Sequence, residues 1–219
     1  MREKLIIFPF GGNGREAAMT ILDGNKTHPR WEIVGFIDDD KAVHDQEFCG
    51  VKVLGGKEVL KKFPQAKFLA VPGNPKDYLK RKKIIDALSI PENRFAQVIH
   101  PSAVISLDVQ IGYNTLIMPN VIISCGAKVG DHCMIFGNSV IAHDSKVSDY
   151  CCVGYNVSIS GHVALGTNCY IGSGSSIRDH IVVDSGSLVG LGSAVVKNVA
   201  AETVVAGNPA KLIRKANKL

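Results

Sequence analysis

The fold is decided by residues 105–195, which read, in rows of six from Ile105, ISLDVQ IGYNTL IMPNVI ISCGAK VGDHCM IFGNSV IAHDSK VSDYCC VGYNVS ISGHVA LGTNCY IGSGSS IRDHIV VDSGSL VGLGSA V. The first residue of every row is Ile, Val or Leu, through sixteen positions without an insertion. A fixed period sustained over such a length is the signature of a repeat architecture, because each unit forms the same structural element. A period of six predicts short strands that coil into a parallel β-helix, with three units per coil and about five coils.

Other positions of the repeat fit the same coil. Residues four places after the aliphatic one are mostly small or β-branched, and Gly often follows the aliphatic residue, where we expect it to allow a tight turn. Cys133, Cys151 and Cys169 are three rows apart from one another, as expected for one wall position on successive coils. We therefore predict that these thiols are small buried core groups. No C-x-x-C pair occurs, which disfavours a zinc ribbon or a thioredoxin-type site.

The first hundred residues follow a different pattern, in which apolar runs alternate with amphipathic segments. Strands are predicted at residues 4–10, 32–37, 51–54 and 67–71, and helices at residues 15–22, 57–63 and 76–88. This order predicts a small Rossmann-like α/β domain over residues 1–98, followed by a β-helix domain over residues 99–219. The basic cluster at residues 80–83 is predicted to be a solvated helix face.

The segment Gly11-Gly12-Asn13-Gly14 links the first strand to the first helix, so it presents backbone N–H groups and a positive helix end to a phosphate. Asp38-Asp39-Asp40 follow 24 to 26 residues after Gly14, roughly where a dinucleotide fold places a carboxylate against ribose hydroxyls. The third glycine of G-x-G-x-x-G is missing, which favours a mononucleotide or a sugar nucleotide over NAD. The alternative is that the glycines form a tight turn and nothing more.

Net charge argues against a nucleic-acid partner. The 219 residues carry a net charge of +5, divided into +4 for residues 1–100, −2 for residues 101–200 and +3 for residues 201–219. No basic stripe with interleaved aromatic residues occurs, as a nucleic-acid groove would need. No run of about 20 apolar residues is present, and the N-terminus lacks the pattern of a signal peptide. We therefore expect a cytoplasmic protein with no membrane insertion, whose basic tail requires a separate explanation.

The seven histidines raise the question of a metal site. His132, His143 and His162 fall at separations of 11 and 19 along the chain, without the short spacing of many zinc motifs, so we expect no metal. His143 stands out because it lies in V-I-A-H-D, two places after an inward aliphatic residue and beside Asp144. Adjacent strand residues point in opposite directions, so Asp144 can orient His143 only if the chain turns there. A histidine at such a position is either an exposed surface residue without a catalytic role or a catalytic base.

The chain as a whole resembles the acetyl-CoA-dependent sugar-nucleotide acetyltransferases, also described as sialic acid O-acetyltransferase-like proteins. The resemblance rests on the order of the two predicted domains, the junction I-H-P-S-A-V at residues 99–104, the repeat with I-A-H-D, and the ending A-G-N-P-A-K at residues 206–211 followed by Leu-Ile-Arg. It implies a left-handed β-helix, a homotrimer with sites between subunits, and acetyl-CoA as co-substrate. It also implies a UDP- or GDP-linked amino sugar as substrate, used in surface glycan synthesis such as that of lipopolysaccharide.

The resemblance also assigns roles to individual residues. It implies that His143 is the catalytic base, that Asp144 is its carboxylate partner, and that Gly161 supplies a backbone N–H to the oxyanion. The implied substrate-binding residues are Asn13, Gly14, Arg15, Asp38, Asp39, Gly73 and Asn74. The implied acetyl-CoA-binding residues are Cys152, Gly161, Ser173, Gly190, Leu191, Lys211 and Arg214.

The implied reaction is direct transfer of the acetyl group to the sugar amine, with neutral His143 as general base. Two alternatives stay open: O-acetylation of a sialic-acid-like or other sugar hydroxyl, and a non-catalytic protein that binds nucleotide sugars as a scaffold. Two departures from the family pattern bear on the substrate. The family's turn often reads Gly-Ala-Ser-Gly-His where this chain has residues 11–15, and an Asn-Thr pair commonly stands where this chain has Phe136-Gly137.

Overall fold

The computed structural model describes residues 2–216, so residues 217–219 of the predicted second domain lie outside the described part. The chain begins with β1 (Glu3–Phe8), α1 (Gly12–Gly24), β2 (Trp31–Phe36), β3 (Glu47–Phe48), β4 (Val51–Lys52), β5 (Lys67–Ala70) and α2 (Arg81–Asp86). Short 3-10 helices cover Lys41–Val43, Lys57–Lys62, Tyr78–Lys80 and Glu92–Arg94. Neither α-helix of this described part is long and apolar enough to cross a bilayer.

These first elements form what we call the N-terminal unit, residues 2–97. Its parallel sheet has the order β2-β1-β5, and β3 and β4 form a separate antiparallel pair. The predicted strand at 51–54 is therefore mostly outside the parallel sheet, and the predicted helix at 76–88 is reduced to a 3-10 turn and α2. The small sheet and the low helix content do not establish a Rossmann-like domain.

Two-residue strands then recur at every repeat unit. They are β6 (Val98–Ile99), β7 (Val104–Ile105), β8 (Gln110–Ile111), β9 (Leu116–Ile117), β10 (Ile122–Ile123), β11 (Lys128–Val129), β12 (Met134–Ile135), β13 (Val140–Ile141), β14 (Lys146–Val147), β15 (Cys152–Val153), β16 (Ser158–Ile159), β17 (Ala164–Leu165), β18 (Tyr170–Ile171), β19 (Ser176–Ile177), β20 (Val182–Val183), β21 (Leu188–Val189) and β22 (Ala194–Val195). An antiparallel hairpin of β23 (Thr203–Ala206) and β24 (Lys211–Lys215) follows the last of these strands. Three basic residues of the predicted tail, Lys211, Arg214 and Lys215, thus lie on the ordered strand β24.

Each strand from β6 to β18 pairs in parallel with the third strand after it along the chain, as does β19 with β22, which produces three walls. Wall 1 contains β6, β9, β12, β15, β18, β21 and the hairpin; wall 2 contains β7, β10, β13, β16, β19 and β22; wall 3 contains β8, β11, β14, β17 and β20. The result is a left-handed-type parallel β-solenoid of about six turns. The repeat from Ile105 predicts about five coils; the solenoid is longer because Ile99, on β6, already occupies the same phase of the repeat.

The second residue of each strand points inward, so the aliphatic positions of the hexads fill the solenoid core. Cys133, Cys151 and Cys169 are buried there as predicted. Their thiols form hydrogen bonds inside the solenoid: Cys133 Sγ donates to the Ser148 carbonyl at 3.2 Å, and Cys151 Sγ donates to the Gly166 carbonyl at 3.1 Å. Burial raises the pKa of the Cys151 thiol, which keeps it protonated.

From residue 111 to residue 194 the chain turns once in every repeat unit, where the backbone φ is positive. We name two sets of these turn positions. The covered corner joins wall 3 to wall 1 and contains Asn114, His132, Tyr150, Asn168 and Gly186; the open corner joins wall 2 to wall 3 and contains Gly126, Asp144, His162 and His180.

The glycines that follow the aliphatic residues were predicted to allow a tight turn, and this prediction was wrong. The positive φ lies two residues later, for example at Asn114 (φ 50°) rather than at Gly112. A Cβ on Gly112 would lie 2.6 Å from the backbone nitrogen of Asp131, and one on Gly154 would lie 2.6 Å from that of Ser173. These glycines are needed because the next coil approaches closely, and not because the turn itself requires them.

The N-terminal unit packs on the outer face of wall 1. The outward side chains of Leu116, Met134 and Cys152, on successive coils, share one buried cluster with Phe10 and Ile21. Over these coils wall 1 is therefore buried on both faces, and the open corner, which joins the other two walls, lies on the far side of the solenoid from this contact.

Candidate active site

The predicted catalytic pair lies at the open corner. Asp144 has φ 58°, so the chain turns between the two side chains and lets both project from one edge of the solenoid. His143 Nδ1 lies 2.9 Å from Asp144 Oδ2, which is hydrogen-bond distance. A carboxylate at this place selects the tautomer with a proton on Nδ1 and leaves Nε2 as the proton acceptor. Both side chains are about half exposed, so an acceptor can reach them from solvent.

Gly161 lies beneath the imidazole, one coil after His143. A Cβ on Gly161 would lie 2.6 Å from His143 Nε2, so any side chain there would displace the ring. The His162 N–H donates to the His143 carbonyl at 3.0 Å, which holds the two coils in register at this point. The structure therefore brings His143, Asp144 and Gly161 together in an arrangement suited to proton abstraction above a backbone surface.

Sequence reasoning missed a third side chain at this corner. His162 Nε2 lies 3.8 Å from Asp144 Oδ2, and the His143 and His162 rings meet edge to face with centroids 5.1 Å apart. His180 stacks on His162 at 4.6 Å. Asp144, His162 and His180 are spaced by three hexads, the same spacing as the three core cysteines, so the signal was present in the sequence.

Several of the predicted substrate-binding residues lie at or near the start of α1. Asn13 Nδ2 donates to the carbonyls of Gly73, at 2.7 Å, and Val71, at 3.2 Å, and so ties the glycine turn to the loop after β5. Gly14 packs against Pro9, whose carbonyl oxygen would clash with a Cβ at that position. Arg15 lies over the Phe10 ring at 6.0 Å and helps to line a cavity of about 240 Å³.

The two acidic residues and Asn74 already have partners within the protein. Asp38 accepts hydrogen bonds from the backbone N–H groups of Phe10, at 3.0 Å, and Asp40, at 2.9 Å, so its carboxylate holds the glycine turn in place. Asp39, which is exposed, accepts one from the Lys57 N–H at 3.2 Å. Asn74 Oδ1 accepts from the N–H groups of Lys76 and Asp77 and forms a turn. Asp39 is thus the more available of the two carboxylates.

The predicted acetyl-CoA residues are dispersed. Ser173 and Leu191 lie on successive coils at the corner between walls 1 and 2, where Leu191 is 77% exposed, and the Gly190 N–H is bonded to the Val205 carbonyl. Lys211 and Arg214 lie on β24, at the end of wall 1. Cys152 is 2% exposed under the N-terminal unit, and burial raises the pKa of its thiol to about 11. Cys152 therefore lies outside the candidate acetyl-CoA site, because the N-terminal unit covers this face of wall 1.

One prediction about the basic cluster at residues 80–83 was wrong. Arg81 is 1% exposed, and its guanidinium donates to the carbonyls of His132, at 2.6 Å, Tyr150, at 3.1 Å, and Pro72. Two of these carbonyls belong to the covered corner and the third precedes the Gly73-Asn74 loop. Arg81 therefore joins the loop of the N-terminal unit to the solenoid, and only its lysine neighbours are solvated.

A scan with protein-family models gave no match, and a search of curated proteins gave none either. Solved structures do resemble the chain. A variant of perosamine N-acetyltransferase from Caulobacter crescentus, in complex with CoA and GDP-perosamine, is 23% identical over 97% of both chains, with a TM-score of 0.82. The acetyltransferase domain of PglB from Neisseria gonorrhoeae, in complex with acetyl coenzyme A, is 24% identical over 97% of this chain and 100% of that one, with a TM-score of 0.81.

WeeI from Acinetobacter baumannii gives 23% identity, 97% and 100% coverage and a TM-score of 0.81. The chain has the fold of these proteins. The likeness extends over the N-terminal unit as well as the solenoid, because it covers nearly all of both chains. At this level of identity it establishes the architecture, and the chemistry must be argued from the residues.

Proposed function

We propose that the protein is an acetyltransferase that moves the acetyl group of acetyl-CoA to the amine of a UDP- or GDP-linked amino-deoxy sugar. The observation that carries this proposal is the His143–Asp144 contact above Gly161, on a fold shared along its whole length with a perosamine N-acetyltransferase that binds CoA and GDP-perosamine. Acetyl-CoA as co-substrate is further supported by the complex of the PglB acetyltransferase domain.

In the proposed reaction the sugar amine attacks the thioester carbonyl carbon and His143 Nε2 takes the amine proton. The C–N bond forms, the C–S bond breaks, and the CoA thiolate leaves and is protonated, so no protein nucleophile is needed. Asp144 stabilises the imidazolium and keeps the ring oriented, and a general base of this kind contributes roughly 10²–10⁴-fold. The Gly161 N–H is the proposed donor to the developing oxyanion.

We propose the glycine turn as the nucleotide-binding end, within a small Rossmann-like domain. The support is local: β1 leads through Gly11 into the 13-residue helix α1, whose first N–H groups favour an anion. Arg15, near the start of α1, is proposed to bind the phosphate, and Asp39, which follows β2, is proposed to bind the ribose. Lys211 and Arg214 on β24 are proposed to meet the CoA phosphates.

We further propose that the protein acts as a homotrimer, with each site completed by a neighbouring subunit. In one chain the N-terminal unit covers wall 1 while His143 projects from the corner between walls 2 and 3. The nucleotide end and the base of one subunit therefore face opposite sides of the solenoid. Wall 2 is suited to subunit contact because its outward positions are apolar or small, as at Val104, Ile122 and Ser176.

The decisive experiment measures CoA release with acetyl-CoA and a panel of GDP- and UDP-linked amino sugars, for wild type and His143→Asn. Loss of the base should lower kcat at least about a hundredfold with little change in KM. The matched control is His28→Asn, which changes an exposed histidine in the turn that follows α1 and should keep wild-type turnover. Wild-type turnover in His143→Asn would exclude His143 as the base.

The same assay distinguishes the alternatives. Turnover only with acceptors that carry a hydroxyl in place of the amine would favour O-acetylation. Thermal shift with acetyl-CoA, UDP-sugars, GDP-sugars and NAD adds a second criterion, because a ligand that binds the native state raises Tm. Stabilisation by sugar nucleotides without any response to CoA would favour the scaffold, and stabilisation by NAD alone would overturn the proposal.

Because both proposed substrates are metabolites of the cytoplasm, we propose that the reaction takes place there, as a step of surface glycan synthesis.

A further inference from the structure

Three groups able to bind a metal ion converge at the open corner. One ligand atom from each of His143, Asp144 and His162 lies within 4.8 Å of the other two. The Asp144 carboxylate stands between the histidines, at 2.9 Å from His143 Nδ1 and 3.8 Å from His162 Nε2. All three side chains are about half exposed, so an ion can enter from solvent without opening the fold.

The backbone holds these groups in place before any ion arrives. The Asp144 N–H donates to the Cys125 carbonyl at 3.0 Å, and the His162 N–H donates to the His143 carbonyl at 3.0 Å. The positive φ values at Asp144 and His162 direct both side chains away from the core. In a helix two histidines share a face at a spacing of four, whereas in this coil neighbours on one edge are three hexads apart. His162 follows His143 by one coil and one further position, so the two side chains lie side by side.

The spacing of the ligand atoms fits a small transition-metal ion. Zinc binds imidazole nitrogen at about 2.0–2.1 Å and carboxylate oxygen at about 2.0–2.2 Å, so two ligands of a tetrahedral site are roughly 3.4 Å apart. The observed 2.9 and 3.8 Å bracket that value. The third pair, His143 with His162, lies within 4.8 Å, so rotation of these exposed side chains has to bring the two nitrogens closer when the ion binds. Two imidazoles and one carboxylate leave the fourth position to water, as in open zinc sites.

We propose that His143, Asp144 and His162 form a binding site for a divalent transition-metal ion of the zinc type, and that occupancy of this site switches the enzyme off. The second half of the proposal rests on the proposed function. A metal bound to His143 Nδ1 displaces the hydrogen bond to Asp144, and the positive charge of the ion opposes formation of the imidazolium that the base must become. The ion is thus an inhibitor and not a cofactor.

The binding arm of the test uses ZnCl₂ alone, titrated by calorimetry into the full chain. Cys49 and Cys125 are exposed thiols, so both are replaced by Ser in every protein compared. The reference protein should bind one equivalent of Zn²⁺, and His162→Asn should weaken that binding at least tenfold. His180→Asn is the matched control, because His180 stacks on His162 without belonging to the ligand group, and it should bind as the reference does.

CoCl₂ provides a spectroscopic criterion, since Co²⁺ in a tetrahedral site absorbs strongly in the visible and Co²⁺ in water does not. The band should appear with the reference protein and disappear with His162→Asn. Equal Zn²⁺ affinity in the reference and in His162→Asn would overturn the metal site. This arm needs no substrate, so it stands whether or not the acetyltransferase proposal does.

The inhibition arm follows CoA release at increasing Zn²⁺, each variant being measured against its own zinc-free rate. Half-inhibition should require at least tenfold more Zn²⁺ in His162→Asn than in the reference, and EDTA should restore the reference rate. Tight Zn²⁺ binding without inhibition would overturn the switch while leaving the metal site intact.

Discussion

His132 and His162 have the same backbone conformation, φ 57°, at two corners of one solenoid, and their surroundings differ completely. At the covered corner His132 is 5% exposed, stacked on Tyr150 at 4.6 Å. At the open corner the His162 side chain is 45% exposed, stacked on His180 at the same distance. The turn itself therefore specifies only the backbone. Whether the corner contributes stability or chemistry is decided by what packs on it.

The largest loss of stability is expected from a change at Arg81, which bonds the N-terminal unit to the covered corner. Arg81→Ala removes the donor to two buried carbonyls and one partly buried carbonyl and opens a cavity, so it should lower the free energy of unfolding by about 3–5 kcal/mol. Lys83→Ala, an exposed change in the same helix, is the control and should stay within about 0.5 kcal/mol of wild type. Urea unfolding followed by circular dichroism measures both. If Arg81→Ala unfolded at the same urea concentration as wild type, the packing of the N-terminal unit on the covered corner would not depend on this arginine.

The burial of Arg81 could not be predicted from the sequence. The hexad period predicts the strands, the core positions and the stacked cysteines, because these depend on near neighbours and repeat along the chain. Arg81 lies among lysines in a pattern typical of a solvated face, and only the docking of two distant segments buries it. His162 is different. Its separation from Asp144 by one full coil was readable once the coil length was known.

A smaller effect is expected from the protonation of His132. Burial, with a lesser contribution from the charge of Arg81, lowers its pKa to about 4, and Asn114 Nδ2 lies 2.8 Å from Nδ1, which must accept that hydrogen bond in the neutral form. Between pH about 6.5 and about 4 the unfolded chain takes up a proton that the folded chain refuses. Stability should therefore fall as the pH falls through this window, by at most about 3 kcal/mol from this residue.

Urea unfolding at pH 7 and pH 4.5 checks this expectation. Carboxylates titrate in the same range, so the informative quantity is the difference between proteins. His132→Asn, which tolerates the positive φ, should lose less stability on acidification than wild type does. The equivalent change at the open corner, His162→Asn, leaves His132 in place and should retain the wild-type loss. Equal losses in wild type and His132→Asn would contradict a neutral buried His132.

The smallest effect is expected at the far end of the open corner. His180 has φ 58° and a side chain that is 70% exposed, so the backbone conformation is the main constraint on this position. His180→Gly should change the free energy of unfolding by less than about 0.5 kcal/mol. His180→Val should lower it by roughly 1–2 kcal/mol, because a Cβ-branched residue clashes with its own carbonyl at positive φ. Thermal unfolding of the two variants measures the difference, and a Val variant as stable as the Gly variant would contradict a backbone origin. An open corner that tolerates Gly but not Val is one whose side chains are free to be chosen for binding and catalysis, as long as the residue accepts the turn.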